Sequence, residues 1–250
     1  MKNVIIVGII LVVIGAGYLL FNRQGPSEEI VLPLITPIAH ATFVMEWADI
    51  VIYNDPVGDS ELFLNFTKPD LIFVSDIHGD HLSVDTLEAV IDQDSIILAP
   101  QAAVDNFSEK LRTQTIVINN GETINQKGIL IEAIPMYNLP ENEDSRHVKG
   151  RGNGYVLEKN GIRVYIAGDT AGIPEMRSLE NIDMAFVPMN LPYTMDVEEA
   201  AKAVLDFKPT QVYPYHYRGQ DGLSDVNKFK ELVSVDSEIE VVLLEWYPES

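Results

Sequence analysis

Residues 75–83 read SDIHGDHLS, directly after the apolar run LIFV at 71–74. Two imidazoles and two carboxylates therefore fall between Asp76 and His81. A short continuous apolar run is the signature of a strand buried on both faces. The end of such a strand is rigid enough to hold ligands in a fixed geometry. Gly79 lets the backbone turn tightly, so that neighbouring side chains converge. The chain has no cysteine, which excludes disulfides and thiolate ligands. Any metal must then be held by His, Asp, Glu or backbone oxygen. Isolated His and Asp residues in a loop are ordinarily polar surface. The string D-x-H-x-D-H at a strand end points instead to a divalent metal site built from Asp76, His78, Asp80 and His81.

Three further strand ends carry polar tips. RVYIAGDT ends in Asp169, QVYPYHY reaches His216, and IEAIPMYN ends at Asn138. Each has a plain role when taken alone: Asp169 as a turn or helix cap, His216 as a hydrogen-bonded histidine of the core, Asn138 as the start of a loop. Their common placement at strand ends is what makes them ligand candidates, because functional groups collect at one edge of a sheet.

In this order and spacing the chain resembles the metallo-β-lactamase superfamily of metallohydrolases, and most of all its L-ascorbate-6-phosphate lactonase-like and N-acyl-phosphatidylethanolamine phospholipase D-like branches. The likeness runs from about Ile38 to Tyr217, through HATFVMEWADIVIYNDP, SDIHGDHLS, the GDT after a strand and the late YPYHY. It implies a four-layer αββα sandwich with a dinuclear metal site, usually zinc, at the open edge of two sheets. Asp80, His81 and His216 match ligands of the second metal, Asp169 the carboxylate that bridges both, and His78 a ligand of the first.

Two positions depart from the family's S/T-H-x-H-x-D-H pattern. Asp76 stands at the first histidine, and Asn138 falls where the third histidine of the first metal is expected. The first position would then be Asp76, His78, Asn138 and Asp169, richer in oxygen and better suited to Mn²⁺ or Mg²⁺ than an all-imidazole site. An altered dinuclear site, a single ion at the second position and a degenerate site all remain open. His147, in ENEDSRHVKGRGNG, is the candidate replacement for the missing imidazole, or else a substrate-facing histidine.

The implied activity is metal-dependent hydrolysis of an ester, lactone or phosphodiester bond in a small molecule or lipid. A bound divalent ion lowers the pKa of its water from 15.7 to about 7, and Asp80 is the expected proton acceptor beside it. His40, Arg151, Tyr193 and Arg218 are the candidate substrate-binding residues, with Arg151 in a basic, glycine-rich loop suited to an anionic group. The alternative is a non-catalytic metal-binding domain of the same fold that binds a ligand or partner.

The elements that must position these residues alternate in type. IVLPLI, TFVMEW and IVIYND read as strands, and so do SIILAP, TIVIN, GILIEAIPMYN, IDMAFVPMN and IEVVLLEW. VDTLEAVID, QAAVDNFSEKLR, VEEAAKAVLDF and SDVNKFKELVS read as helices. Ser83 and Asp196 are placed as N-caps, Asp196 with Glu199 three positions on. Asn160-Gly161 supplies the two positive φ angles of a tight hairpin. This pattern is α/β, with helices covering mixed sheets.

The bulk numbers fit a single hydrolase domain over residues 30–250. The chain has 250 residues, 46% of them hydrophobic, and a net charge of −21. Such acidity excludes a broad nucleic-acid-binding face. The first segment, residues 1–23, is MKNVIIVGIILVVIGAGYLLFNR, joined by a linker at 24–29. Its apolar run over residues 4–21 spans ~27 Å as a helix, enough to cross a bilayer. It is expected to be a transmembrane anchor or a cleaved signal. The flanking charges favour an extracytoplasmic domain, periplasmic or at the cell surface, or a secreted one if cleavage occurs.

Overall fold

The computed structural model describes residues 31–248. The expected anchor, residues 1–23, and the linker, 24–29, lie outside them. Among the described residues no helix is long and apolar enough to cross a membrane.

Pro33, which has no N–H to donate, precedes the first strand, so β1 begins at Leu34 and not with the whole of IVLPLI. β1 (Leu34–Ala39), β2 (Thr42–Trp47), β3 (Ile50–Asn54), β4 (Leu71–Phe73), β5 (Ile96–Ala99) and β6 (Thr115–Val117) form one sheet in sequence order. β1 to β3 pair antiparallel, and β3 to β6 pair parallel. Between the parallel strands run α1 (Val84–Val90), α2 (Gln101–Val104) and α3 (Glu109–Arg112). The single helix expected over QAAVDNFSEKLR is two short ones. Ser108 is extended and its Oγ accepts the Leu111 N–H, which starts a new helix.

The second sheet has the order β15-β12-β11-β10-β9-β8-β7. Its strands are β7 (Thr123–Gln126), β8 (Ile129–Met136), β9 (Gly152–Lys159), β10 (Ile162–Ile166), β11 (Met184–Pro188), β12 (Gln211–Tyr215) and β15 (Glu240–Val241). A small hairpin, β13 (Arg218–Gly219) with β14 (Gly222–Leu223), stands apart from both sheets. α4 (Pro174–Arg177), α5 (Val197–Phe207) and α6 (Val226–Val233) complete the chain. The β9–β10 turn has φ +52° at Asn160 and +80° at Gly161, the paired positive angles of a hairpin turn. Asp196 accepts the Glu199 N–H at 2.7 Å, but the Glu199 carboxylate reaches the Gly172 N–H instead of closing a capping box. IEVVLLEW pairs only over the two residues of β15, against β12.

Strand periodicity sorts the core into layers. Phe43, Met45, Ile52, Phe73 and Leu98 belong to one buried cluster, shared with Ile131, Tyr155, Val164 and Phe186 of the second sheet. Their neighbours Val44, Tyr53, Ile72, Val74 and Ile97 belong to another, with Leu87, Val90 and Leu111 of the first sheet's helices. Alternate residues thus face the facing sheet or the helices, as a period of two requires. Phe43 stacks on Phe186 across the sandwich, ring centroids 4.6 Å apart, and such a pair adds about 0.5–1.5 kcal/mol beyond its buried area. Tyr165 meets Phe207 of α5 on the far face of the second sheet. The result is a mixed α/β sandwich, helices outside and two sheets within.

Candidate metal centre

The residues of the centre come from the ends of β1, β3, β4, β10 and β12 and from the loop between β8 and β9, with the ligand candidates on the last three of these strand ends and on the loop. All five histidines of the chain gather there. His40 and His216 rings lie 5.4 Å apart, His81 and His216 5.1 Å, and His78 and His147 5.1 Å. The turn after β4 is closed by His78 O, which accepts from His81 N and Leu82 N. This turn separates His78 from His81 and sends them to two different clusters.

One cluster is Asp80, His81 and His216, and the other is Asp76, His78 and His147. In the first, the His81 and His216 Nε2 atoms stand 3.2 Å apart. His216 Nε2 lies 3.4 Å from Asp80 Oδ2. In the second, His78 Nδ1 is 2.6 Å and His147 Nε2 3.8 Å from Asp76 Oδ2. Asp169 lies between them. Its Oδ1 is 3.3 Å from His81 Nε2 and 3.4 Å from His216 Nε2, while its Oδ2 is 3.2 Å from His147 Nε2. Gly168, at φ +67°, turns the chain to place this carboxylate. A Cβ there would sit 2.7 Å from Met136 Sδ and 3.0 Å from the Asn153 carbonyl.

The donors fit a metal by their own bonding. His147 Nε2 and Asp169 Oδ1 are buried without a hydrogen-bond partner, a costly state that a cation relieves. His147 Nδ1 faces the Tyr193 carbonyl at 3.1 Å. His81 Nδ1 faces Asp55 Oδ2 at 2.9 Å. Each contact leaves Nε2 as the free donor atom, the arrangement that orients a metal-binding imidazole. Two such nitrogens about 2.0 Å from one tetrahedral ion would stand about 3.3 Å apart, close to the spacing of His81 and His216.

The charges are mutually supporting. Burial opposes the charged form of Asp169, but His216, His81 and His147 hold its pKa well below the usual range. Burial also works against charged His81, yet Asp169 and Asp55 push its pKa well above the ordinary value. Asp80 is held low against its burial by the hydrogen bond to His216 and by the charge of His81. Asp76 is held low against burial by its hydrogen bond to His78, by His81 and by Arg151.

Asn138 does not aim at the centre. Its Nδ2 donates to the Tyr193 carbonyl at 2.8 Å and its Oδ1 accepts the His147 N–H at 2.9 Å. Its own N–H donates to the His147 carbonyl. The asparagine thus grips the loop that brings His147 to the place where Asn138 itself is expected. Arg151 is turned onto Asp76 rather than outward to a substrate, with Nε 3.2 Å from Oδ1 and Nη2 3.1 Å from Oδ2. Tyr193 supplies its carbonyl to His147, and its ring lies under Arg146. His40 Nδ1 is 3.3 Å from the Tyr247 hydroxyl, and Arg218 covers the Tyr247 ring.

Asp55 is the residue that sequence reasoning passed over. It follows β3 at φ +42° and is fully buried. Its carboxylate accepts from Ser75 N, Ser75 Oγ and His81 Nδ1. The available signal was the NDP at the strand's end.

Residues 34–216 match the model of the beta-lactamase superfamily domain. A UPF0173 metal-dependent hydrolase from Pyrococcus horikoshii is 32% identical over 216 residues, covering 82% of this chain and 94% of its own. The crystal structure of a Parabacteroides distasonis protein described as a candidate metal-dependent hydrolase is 39% identical, with TM-score 0.76, over 86% of this chain and 94% of that one. A metallo hydrolase from Ignicoccus hospitalis is 27% identical, with TM-score 0.71, over 84% and 94% of the two chains. Shared sequence, fold and clustered His and Asp donors lead to one conclusion: the chain belongs to the β-lactamase superfamily, among its metal-dependent hydrolases.

Proposed function

We propose that the centre holds two divalent ions and hydrolyses an ester, lactone or phosphodiester bond in a small molecule or lipid. The observation that carries this reading is Asp169, whose two carboxylate oxygens face the two clusters separately. His81, His216 and Asp80 would hold one ion, His78, His147 and Asp76 the other, with Asp169 shared. Counting Asp169, each group has two imidazoles and two carboxylates, a donor set that suits zinc and also admits Mn²⁺ or Mg²⁺. A bound divalent ion supplies an acidified water and polarises the scissile bond.

The chain's own residues do the rest. Asp80 is the most exposed carboxylate of the centre, its side chain 44% accessible, and it accepts the proton of the attacking water. Arg218 lies within two positions of His216 and has no carboxylate partner among the described residues. It binds an anionic group of the substrate, while Tyr193, in the loop packed against the Arg218 hairpin, forms a wall. The apolar segment 1–23 supports an anchored domain outside the cytoplasm. Reporter fusions giving cytoplasmic signal from residues 30–250 would end that part of the reading.

The test is a panel of lactones, carboxylic esters and phosphodiesters offered to the metal-loaded full chain, with metal counted on the same samples. Asp80→Asn should lower kcat by about 100-fold or more, the usual contribution of a positioned proton acceptor. Turnover at the unaltered rate in Asp80→Asn would remove Asp80 from this role. No turnover of any of the three bond classes would refute the substrate assignment.

A further inference from the structure

Asp76 is a carboxylate with no solvent exposure. Such a group needs partners for both oxygens. Arg151 provides them with a forked contact, Nε to Oδ1 and Nη2 to Oδ2. Among the described residues it is the only Lys or Arg in ion-pair contact with Asp76, Asp80 or Asp169. The same Nη2 donates to the Arg146 carbonyl at 2.7 Å, one residue before His147. One guanidinium thus ties the loop after β4, in the first sheet, to the loop before β9, in the second. These two loops carry Asp76 and His147, which must meet for that half of the centre to exist. Asp76 and Arg151 together also carry no net charge, so an oxygen donor is introduced without a further negative charge beside Asp169.

We infer that Arg151 is a positioning residue for one metal position only: it fixes Asp76 and the His147 loop, and so sets the affinity of the Asp76–His78–His147 site. This inference rests on the two-ion reading above. A fork fits a carboxylate bidentately, which an ammonium cannot do, so the guanidinium is required and not only its charge.

The full chain is stripped with a chelator and titrated with Zn²⁺, and separately with Mn²⁺, against a chromophoric chelator. The unaltered chain should take two equivalents. Arg151→Gln should weaken one of them 10–100-fold, the usual effect of losing a residue that orients a ligand, and leave the other within about twofold. Arg151→Lys should recover less than half of that loss on a logarithmic scale. In an Asp76→His background only the contact to the His147 loop is left for Arg151 to make, so adding Arg151→Gln should weaken affinity by a smaller factor than it does in the unaltered chain, a non-additivity expected of coupled partners. Two equivalents unaffected by Arg151→Gln, or both weakened together, would overturn the inference while leaving the two-ion reading standing. A single equivalent in the unaltered chain would overturn both. Melting of the metal-free variants identifies a chain that has simply failed to fold, and Arg151→Lys then carries the test.

Discussion

Asp55 and Asp169 grip His81 from opposite sides, one at Nδ1 and one at Nε2. The negative charges of Asp169 and Asp55 favour a proton on His81 and push its pKa well above the ordinary value, against its burial. A metal ion must displace that proton. Because the folded pKa lies above about 6.5, the competition is already present at neutral pH and strengthens as pH falls. The carboxylates, held low, stay ionised there and do not compete. Titration calorimetry at pH 7 in two buffers of different ionisation heat should therefore show proton release on metal binding, and apparent affinity should drop up to tenfold per pH unit below the folded value. Binding without proton release would contradict this account. Asp55→Asn should lower affinity at the His81–His216 position by roughly 10–100-fold, as read by chelator competition. Asp55 touches no expected ion, so its role was not legible from ligand spacing. His147 was legible only as an alternative, because no motif surrounds it. Its place depends on the pairing with Asn138, a backbone contact across a loop that no periodicity announces.

At the scale of elements, the positions of most strands and helices were legible, because a two-layered sandwich forces strict alternation and the caps are local chemistry. What failed were the ends, and the short elements β7, α4 and the β13–β14 hairpin went unread. β1 starts late behind Pro33, the segment 101–112 breaks at Ser108, and β15 keeps two residues. The first two follow from Pro33 and the Ser108 cap within the segments themselves, whereas the last depends on neighbours that a single segment cannot reveal. The strand ends that carry ligands are locked from the opposite sheet. Asn153 N donates to the Ser75 carbonyl, and the Tyr155 hydroxyl donates to the Val74 carbonyl at 2.8 Å. Gly152 permits the approach, since a Cβ there would stand 2.8 Å from the Ser75 carbonyl and 2.5 Å from Met136 Cε. Gly152→Ala should cost about 1–3 kcal/mol by urea unfolding, and should also weaken metal binding through Asp76. Asp196→Ala should cost about 1 kcal/mol through the lost cap of α5, with metal affinity unchanged. Equal effects of the two substitutions on metal affinity would show that the seam does not transmit strain to the centre.

For the molecule as a whole, ions that bind the proposed centre only in its folded arrangement would stabilise it by mass action. Free metal at 100 times its dissociation constant adds about 2.7 kcal/mol per site, and a chelator should lower Tm by several degrees in scanning calorimetry. An unchanged Tm would mean that the centre is held together without metal. The two sheets also divide the chain in sequence. β1 to β6 end at Val117 and β7 begins at Thr123, so the covalent chain passes from one sheet to the other once among the described strands. Asp76, His78, Asp80 and His81 precede that passage, and His147, Asp169 and His216 follow it. On the ribosome the first four therefore emerge well before their partners exist. An ion captured by the nascent first half would lack the shared carboxylate and two imidazoles. The finished ligand set can first be assembled only after His216 has cleared the exit tunnel, which makes metal acquisition one of the last events in the biogenesis of this protein.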